Sequence, residues 1–255
     1  MYQSSELEVV DDGPIRHLVF NRPDKLNSMH MQQHERILHE LKAAEHNDRV
    51  RLIALSGRGR AFCAGDDLRT VTNWKDVSVW PERYKKHFVD TDIGMGPLLL
   101  QEVTSFLRNY PKPTAALLHG YAVGAGYDYA LSCDLRLITP DCQFGDPRIL
   151  RALWSAEGWS YKLPRLIFGG HVAKIAYLGE LLRGTEVVEL GLAHGLLEET
   201  RDIREEARST LMRLSSMDSA AYRSTKLSML NSFDLPYHVA VHDDGDLGDK
   251  RQHLF

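Results

Sequence analysis

Two glycine-bearing turns, AFCAGDDL at 61–68 and HGYAVGAGYDYALSCD at 119–134, each follow a short apolar run, and together they suggest two backbone amides aimed at one oxygen. The runs are Leu52-Ile53-Ala54-Leu55-Ser56 and Thr114-Ala115-Ala116-Leu117-Leu118, bounded by Gly or Pro, a pattern that reads as buried strands. Beyond the second turn, Ala125 to Asp134 reads as a helix. The amides near Gly124, Ala125 and Gly126 then lie at a helix N-terminus, without internal partners and at the positive end of the dipole. Donors so placed suit the oxyanion formed from a carbonyl, and one such donor is worth roughly 10² to 10³ in rate. A pair of ordinary tight turns is the alternative reading.

The elements that must position these turns repeat along the chain. Residues 6–20 read as two short strands around the acidic turn Asp11-Asp12-Gly13-Pro14, and Met29 to Glu45 reads as a helix with Met31, Ile37, Leu38 and Leu41 on its apolar face. The pattern recurs at 51–56 with a helix after Asp67, then at 114–118 with the helix from 125, followed by a strand from Leu135 to Thr139. Residues 73–97, with two tryptophans, Pro81 and paired glycines, break the periodicity. They read as a mobile segment over the site or as a passive excursion with a helix at 82–89. From 171 onward the expected elements are helices: His171 to Leu182, Thr185 to Gly191, Asp202 to Ser216 and Ser219 to Leu230.

Composition narrows the class of function. A chain of 255 residues can bury a sizeable core. Its net charge of −4 comes without a lysine and arginine block, so a nucleic-acid surface is not expected. No apolar stretch reaches the roughly 18 residues of a membrane helix, and the acidic start MYQSSELEVVDDG is unlike a targeting segment. The ending Gln252-His253-Leu254-Phe255 is not a peroxisomal address, and a cytoplasmic protein is expected. Cys63, Cys133 and Cys142 lack CxxC spacing and neighbouring ligand histidines, which argues for reduced thiols and against a disulfide or zinc site. Neither a GxSxG turn nor a nucleotide loop is present.

The runs FNRPDKLNSM (20–29), AFCAGDDL, HGYAVGAGYDYALSCDLRLITPDCQFGDPRI (119–149) and LPRLIFGG (163–170) resemble the crotonase family, which includes the enoyl-CoA hydratases and isomerases. The resemblance runs from about residue 5 to about residue 230, with the motifs in family order and spacing. It implies an α/β fold, a spiral of repeated strand-strand-helix units, with an acyl-CoA-binding core over 1–200 and a helical oligomerisation region over 201–255. It further implies a homotrimer or hexamer, an acyl-CoA thioester as substrate, and no cofactor beyond the coenzyme A that the substrate carries.

Carried over position by position, the resemblance puts the oxyanion amides on Asp66 and Ala125, the latter preceded by Gly124. Coenzyme A is expected at Asp24, Lys25 and Leu26 and along Ala64 and Leu68, with Lys25 as a phosphate partner or a solvated turn lysine. Asp67 reads as a cap for the following helix. The two acid–base positions, glutamates in the family's hydratases, hold Asp128 and Arg148. Asp128 is one methylene shorter, roughly 1.5 Å of reach, and misplacements near 1 Å can cost about 10² in rate. A guanidinium is no proton carrier near neutral pH, so the two-glutamate mechanism is not expected in its usual form.

Arg148 has three readings: it pairs with Asp128, binds a carboxylate on the acyl group, or turns to solvent. Pairing is expected to lower the aspartate pKa by about one to three units. Glu157 is a replacement acid or a helix-start acid. Trp154, Trp159 and Tyr161 wall an acyl pocket or belong to the core. His119 reads as structural. The reaction expected is proton transfer with Asp128 or Glu157 as base, giving double-bond isomerisation or a non-standard hydration. Conventional hydration, binding without turnover and, least, RNA binding are the alternatives.

Overall fold

The computed structural model describes residues 6–69, 78, 96–153, 155, 157–198, 202–232 and 234–242. Trp154, nearly all of the 73–97 segment and the chain from residue 243 lie outside them, so the readings placed there stay as expectations.

Strands β1 (Leu7–Asp12) and β2 (Ile15–Phe20) form the expected hairpin around the acidic turn. Helix α1 (Met31–Glu45) follows, with Ile37, Leu38 and Leu41 buried. Then come β3 (Leu52–Gly57), α2 (Gly96–Arg108), β4 (Thr114–Leu118), β5 (Tyr121–Val123), α3 (Ala125–Ser132), β6 (Leu135–Ile138) and β7 (Gln143–Gly145). A 3-10 turn at Pro147–Arg151 leads to α4 (Trp159–Leu166), α5 (Gly169–Leu178), β8 (Leu182–Arg183), α6 (Gly184–Glu189), β9 (Gly195–Leu196), α7 (Ile203–Ser215) and α8 (Ser219–Asn231). Strands β1-β2-β3-β4-β6-β9 make a six-stranded sheet, parallel apart from the first hairpin, and β5-β7-β8 make a three-stranded one.

The central strands are apolar throughout because both faces are covered. Side chains alternate across a strand, so Ile53, Leu55, Ala116 and Leu118 enter the larger core with α1 to α3. Leu52, Ala54, Ala115 and Leu117 face the other way, onto Ala207 and Leu211 of α7. This double burial is what a continuous apolar run signals in a parallel sheet. It also lays α7, the first helix of the tail, on the sheet of its own chain.

One expected helix is shorter than its pattern. The run from His171 to Leu182 ends at Leu178, where Gly179 takes a left-handed conformation (φ +65°) and caps α5. Leu182 and Arg183 instead pair antiparallel with β7. Among the described residues no helix is long and apolar enough to cross a membrane.

Candidate active site

The first glycine turn is zipped between two other segments. On one side Phe62 and Cys63 donate to the carbonyls of His119 and Tyr121, and Val123 donates back to Cys63. On the other, Ala64 donates to Leu26, Met29 to Gly65, and Asp67 to Met29. Buried Asn27 locks the pieces together: its amide donates to the Arg58 and Ala61 carbonyls and its oxygen accepts from the Arg22 amide.

This lattice brings the two turns into backbone contact. A Cβ built on Gly65 (φ +94°) would lie 3.3 Å from the Val123 carbonyl oxygen and 3.6 Å from the Ala125 nitrogen, and one on Gly126 would lie 2.6 Å from the Cys63 oxygen. Side chains there would force the turns apart. Among the described residues, neither the Asp66 nor the Ala125 amide has a hydrogen-bond acceptor within the protein. Ala125 is the first residue of α3, where a free amide is the rule.

The expected acid–base residues meet around Arg148. Its Nη2 donates to Asp128 Oδ2 at 2.7 Å and to Asp146 Oδ2 at 2.9 Å, its Nε to Asp146 Oδ1 at 2.7 Å, and its Nη1 to Glu157 Oε2 at 3.3 Å. Of the three readings for Arg148, the structure therefore shows the pair with Asp128, and the remaining donors also meet carboxylates of the protein. Ser155 Oγ sits between the two expected carboxylates, 2.5 Å from Glu157 Oε2 and 3.3 Å from Asp128 Oδ1. A hydroxyl has one proton, so Ser155 donates to one of them at a time.

The expected direction of the Asp128 shift is reversed. Burial is complete at this carboxyl and raises its pKa to about 7; Arg148 opposes the rise, and the nearby Glu157 charge adds to it. Removing a carboxylate from water outweighs one favourable neighbour when that neighbour is shared among three carboxylates. For Arg148, burial disfavours the charge, yet Asp128, Asp146 and Glu157 prevail and hold its pKa above the ordinary value. Lys162, buried behind the cluster and donating to Ser132 Oγ at 2.8 Å, is lowered by burial to about 8, with Asp128 opposing.

A cavity of about 380 Å³ opens beside the turns, lined by Leu26, Ala64, Tyr121, Val123, Pro147, Leu150, Arg151 and Leu181. Leu26 and Ala64, two of the positions expected to meet coenzyme A, are neighbours on its wall. Asp24 and Lys25 are exposed on the neighbouring 3-10 turn, and Leu68 is exposed just past Asp67. Asp67 accepts from the Arg69 amide at 3.2 Å, a capping geometry. His119 lies within hydrogen-bond distance of the Gly59 carbonyl.

Several residues of this neighbourhood escape sequence reasoning: Asp146, Ser155, Lys162 and Arg151, and also His34 and Tyr129. His34 lies 2.8 Å from Asp66 Oδ1 and 2.7 Å from the Tyr129 hydroxyl. The DP pair at 146–147, an aspartate opening a proline-led turn, was the one available signal for Asp146, whose side chain accepts from the Arg148 amide.

Comparison with known proteins gives consistent results. The family model described as enoyl-CoA hydratase/isomerase matches residues 15–243. The 3-hydroxyisobutyryl-CoA hydrolase 1 of Arabidopsis thaliana is 29% identical over 220 residues, 86% of this chain and 54% of that protein, so the chain spans about half the length of this relative. The crotonyl-CoA hydratase of Syntrophomonas wolfei subsp. wolfei is 25% identical over 210 residues, covering 82% of this chain and 75% of its own. A solved enoyl-CoA hydratase structure from Bacillus anthracis superposes with a TM-score of 0.82 over 97% of this chain and 91% of that one; at 23% identity, that likeness is one of fold.

Proposed function

The chain belongs to the enoyl-CoA hydratase/isomerase family of acyl-CoA enzymes and has its crotonase-like α/β fold, and from that premise we propose that it polarises an acyl-CoA thioester between the Asp66 and Ala125 amides and moves a proton at the enolate so formed. One observation carries this reading: two unpartnered amides lie in adjoining turns, and the second of them, Ala125, opens the short helix α3 that carries Asp128 into a carboxylate cluster. Donors fixed before the reaction cost no reorganisation when charge develops on the thioester oxygen. Asp128 and Glu157, bridged by Ser155, are the groups proposed to take and return the proton, giving isomerisation or a non-standard hydration. Because Arg148 is no proton carrier, the usual pair of glutamates is absent from this mechanism.

The test is incubation with crotonyl-CoA and with 3-hexenoyl-CoA in deuterated water, followed by mass spectrometry of each thioester. Deuterium at the α or γ carbon, or a product heavier by one water, is the expected result. Saturable binding without incorporation would instead mean a carrier of acyl-CoA. Free coenzyme A would mean hydrolysis, the activity named for the Arabidopsis relative, for which the same amides would face a tetrahedral oxyanion.

Coenzyme A is proposed to lie along Leu26, Ala64 and Val123, with Lys25 and Arg151 near its phosphates. Arg151→Ala is expected to raise KM for acyl-CoA about tenfold, the worth of one charge-assisted hydrogen bond, and to leave kcat unchanged, the mark of lost uniform binding. The same variant measured with an acyl-pantetheine, which has no nucleotide phosphates, should match the wild type. The homotrimer or hexamer is likewise a proposal; exposed Phe168, Tyr177 and Leu178 on or beside α5 offer it an apolar face, and residues 201–255 are proposed to add to that contact.

Rate and stability should respond to pH in opposite senses. Asp128 must be ionised to accept a proton, so α-proton exchange should rise with pH through about 7. Its folded pKa stands above the ordinary 3.8, so the folded state binds more protons than the unfolded state between these values. Its contribution to stability is therefore greatest at low pH and declines as pH rises from about 4 to about 7. Exchange rates and urea midpoints measured over that range check both limbs; a flat rate profile would remove Asp128 from the proposed role.

A further inference from the structure

Only the backbone amide of Asp66 faces the proposed oxyanion, yet its side chain is also held in place by the protein. Oδ1 is bound by His34 at 2.8 Å, and the other nitrogen of that imidazole meets the Tyr129 hydroxyl at 2.7 Å. A carboxylate only accepts, so Nε2–H of His34 donates to Asp66, and Nδ1 accepts from the Tyr129 hydroxyl. His34 and Tyr129 are buried, and their rings stack with centroids 5.9 Å apart. Asp66 is different: its side chain is 28% exposed, and Oδ2 has no partner among the described residues.

A fixed negative charge on the residue whose amide faces an oxyanion is a liability, since neighbouring like charges repel. The conflict disappears if the charge leaves Asp66 as the oxyanion forms. We infer that the Asp66 carboxylate, oriented by His34 with Tyr129 behind it, is a second proton-transfer group for the thioester held at the Asp66 and Ala125 amides. As the α C–H bond breaks, Oδ2 takes the proton and the bonding pair becomes the enolate. One negative charge stands on Asp66 before the step and one on the thioester oxygen after it. The proton returns to carbon as the enolate collapses, so nothing is oxidised or reduced. His34 and Tyr129 are positioning residues: the imidazole fixes one carboxylate oxygen and leaves the other for substrate.

This inference rests on the enolate reading above, and the experiment separates the two. The α-protons of butyryl-CoA are exchanged in deuterated water, and crotonyl-CoA and 3-hexenoyl-CoA turnover is followed in parallel. Asp66→Asn keeps the backbone amide, the size and an acceptor for His34 but cannot take a proton. Its kcat should fall about 10²-fold, at the lower end of general-base contributions, with KM within about twofold of wild type. His34→Ala should lower kcat about tenfold, and His34→Gln should restore most of it, because a glutamine amide donates and accepts at once. A merely structural histidine would not give this split between KM and kcat, nor depend on the hydrogen bonds rather than the ring. Wild-type kcat in Asp66→Asn, or His34→Gln no better than His34→Ala, overturns the inference and leaves the enolate reading intact. A wild-type protein that exchanges and converts none of the three thioesters overturns both.

Discussion

Replacing Arg148 by methionine is expected to destabilise the protein by about 3 to 5 kcal/mol, the cost of breaking a buried ion pair by removing one partner. The guanidinium is the shared counter-charge of Asp128, Asp146 and Glu157, all of them buried, and its removal leaves those carboxylates facing one another. The loss should show as a lower urea midpoint at pH 8 and shrink at pH 5.5. There Asp128, whose pKa is raised to about 7 even with Arg148 present, carries a proton and needs no partner. Arg148→Glu sharpens the argument. On the family pattern it would put the second glutamate back, but in this chain it would add a fourth carboxylate to a site with its counter-charge gone. The expected outcome is a protein less stable than Arg148→Met and no gain in hydration of crotonyl-CoA. An unchanged midpoint in Arg148→Met would mean that solvent, rather than the arginine, balances the cluster.

That contrast shows which parts of the molecule can be read along the chain. The strands at 52–57 and 114–118, and the glycine turns that follow them, are local patterns. Apolar runs need two covered faces, and the glycines stand where a Cβ would meet backbone of the other turn. The placing of Ala125 at a helix start follows from the same local chemistry. The early end of α5 was signalled by Gly179, but the pairing of Leu182 and Arg183 with β7 depends on a strand far along the chain and has no local mark.

The site divides in the same way. Asp128 and Arg148 could be found by position, and their contact follows once α3 and the Pro147–Arg151 turn are packed together. The sign of the Asp128 shift could not, because a reading of the pair counts one Coulomb interaction, whereas the folded site adds complete burial and two more carboxylates. His34 is harder still. Its partners Asp66 and Tyr129 are 32 and 95 positions away, on a turn and a helix that meet α1 only in the folded chain. In sequence it is one more histidine on an amphipathic helix, and only burial with both ring nitrogens engaged gives it meaning.

Asp128→Asn is expected to lower turnover by about 10² to 10⁴, the range for loss of a positioned general base. Loss of activity alone would prove little in a buried network, since a misfolded site is inactive too, but here stability should move the other way. Above pH 7 the wild-type protein holds Asp128 ionised at a site where burial disfavours the charge. Asparagine has nearly the same shape, keeps a carbonyl oxygen to accept from Arg148 Nη2 and carries no charge. Its urea midpoint at pH 8 should therefore equal or exceed that of the wild type, and it should no longer decline between about pH 4 and about 7 to the same extent. A slower and more stable enzyme is the signature of a charge kept for chemistry at a cost in folding. A slower and less stable one would mean that Asp128 serves mainly to hold Arg148. Unchanged turnover would exclude it as the base and leave Glu157 and Asp66 as the carboxylates of the reaction.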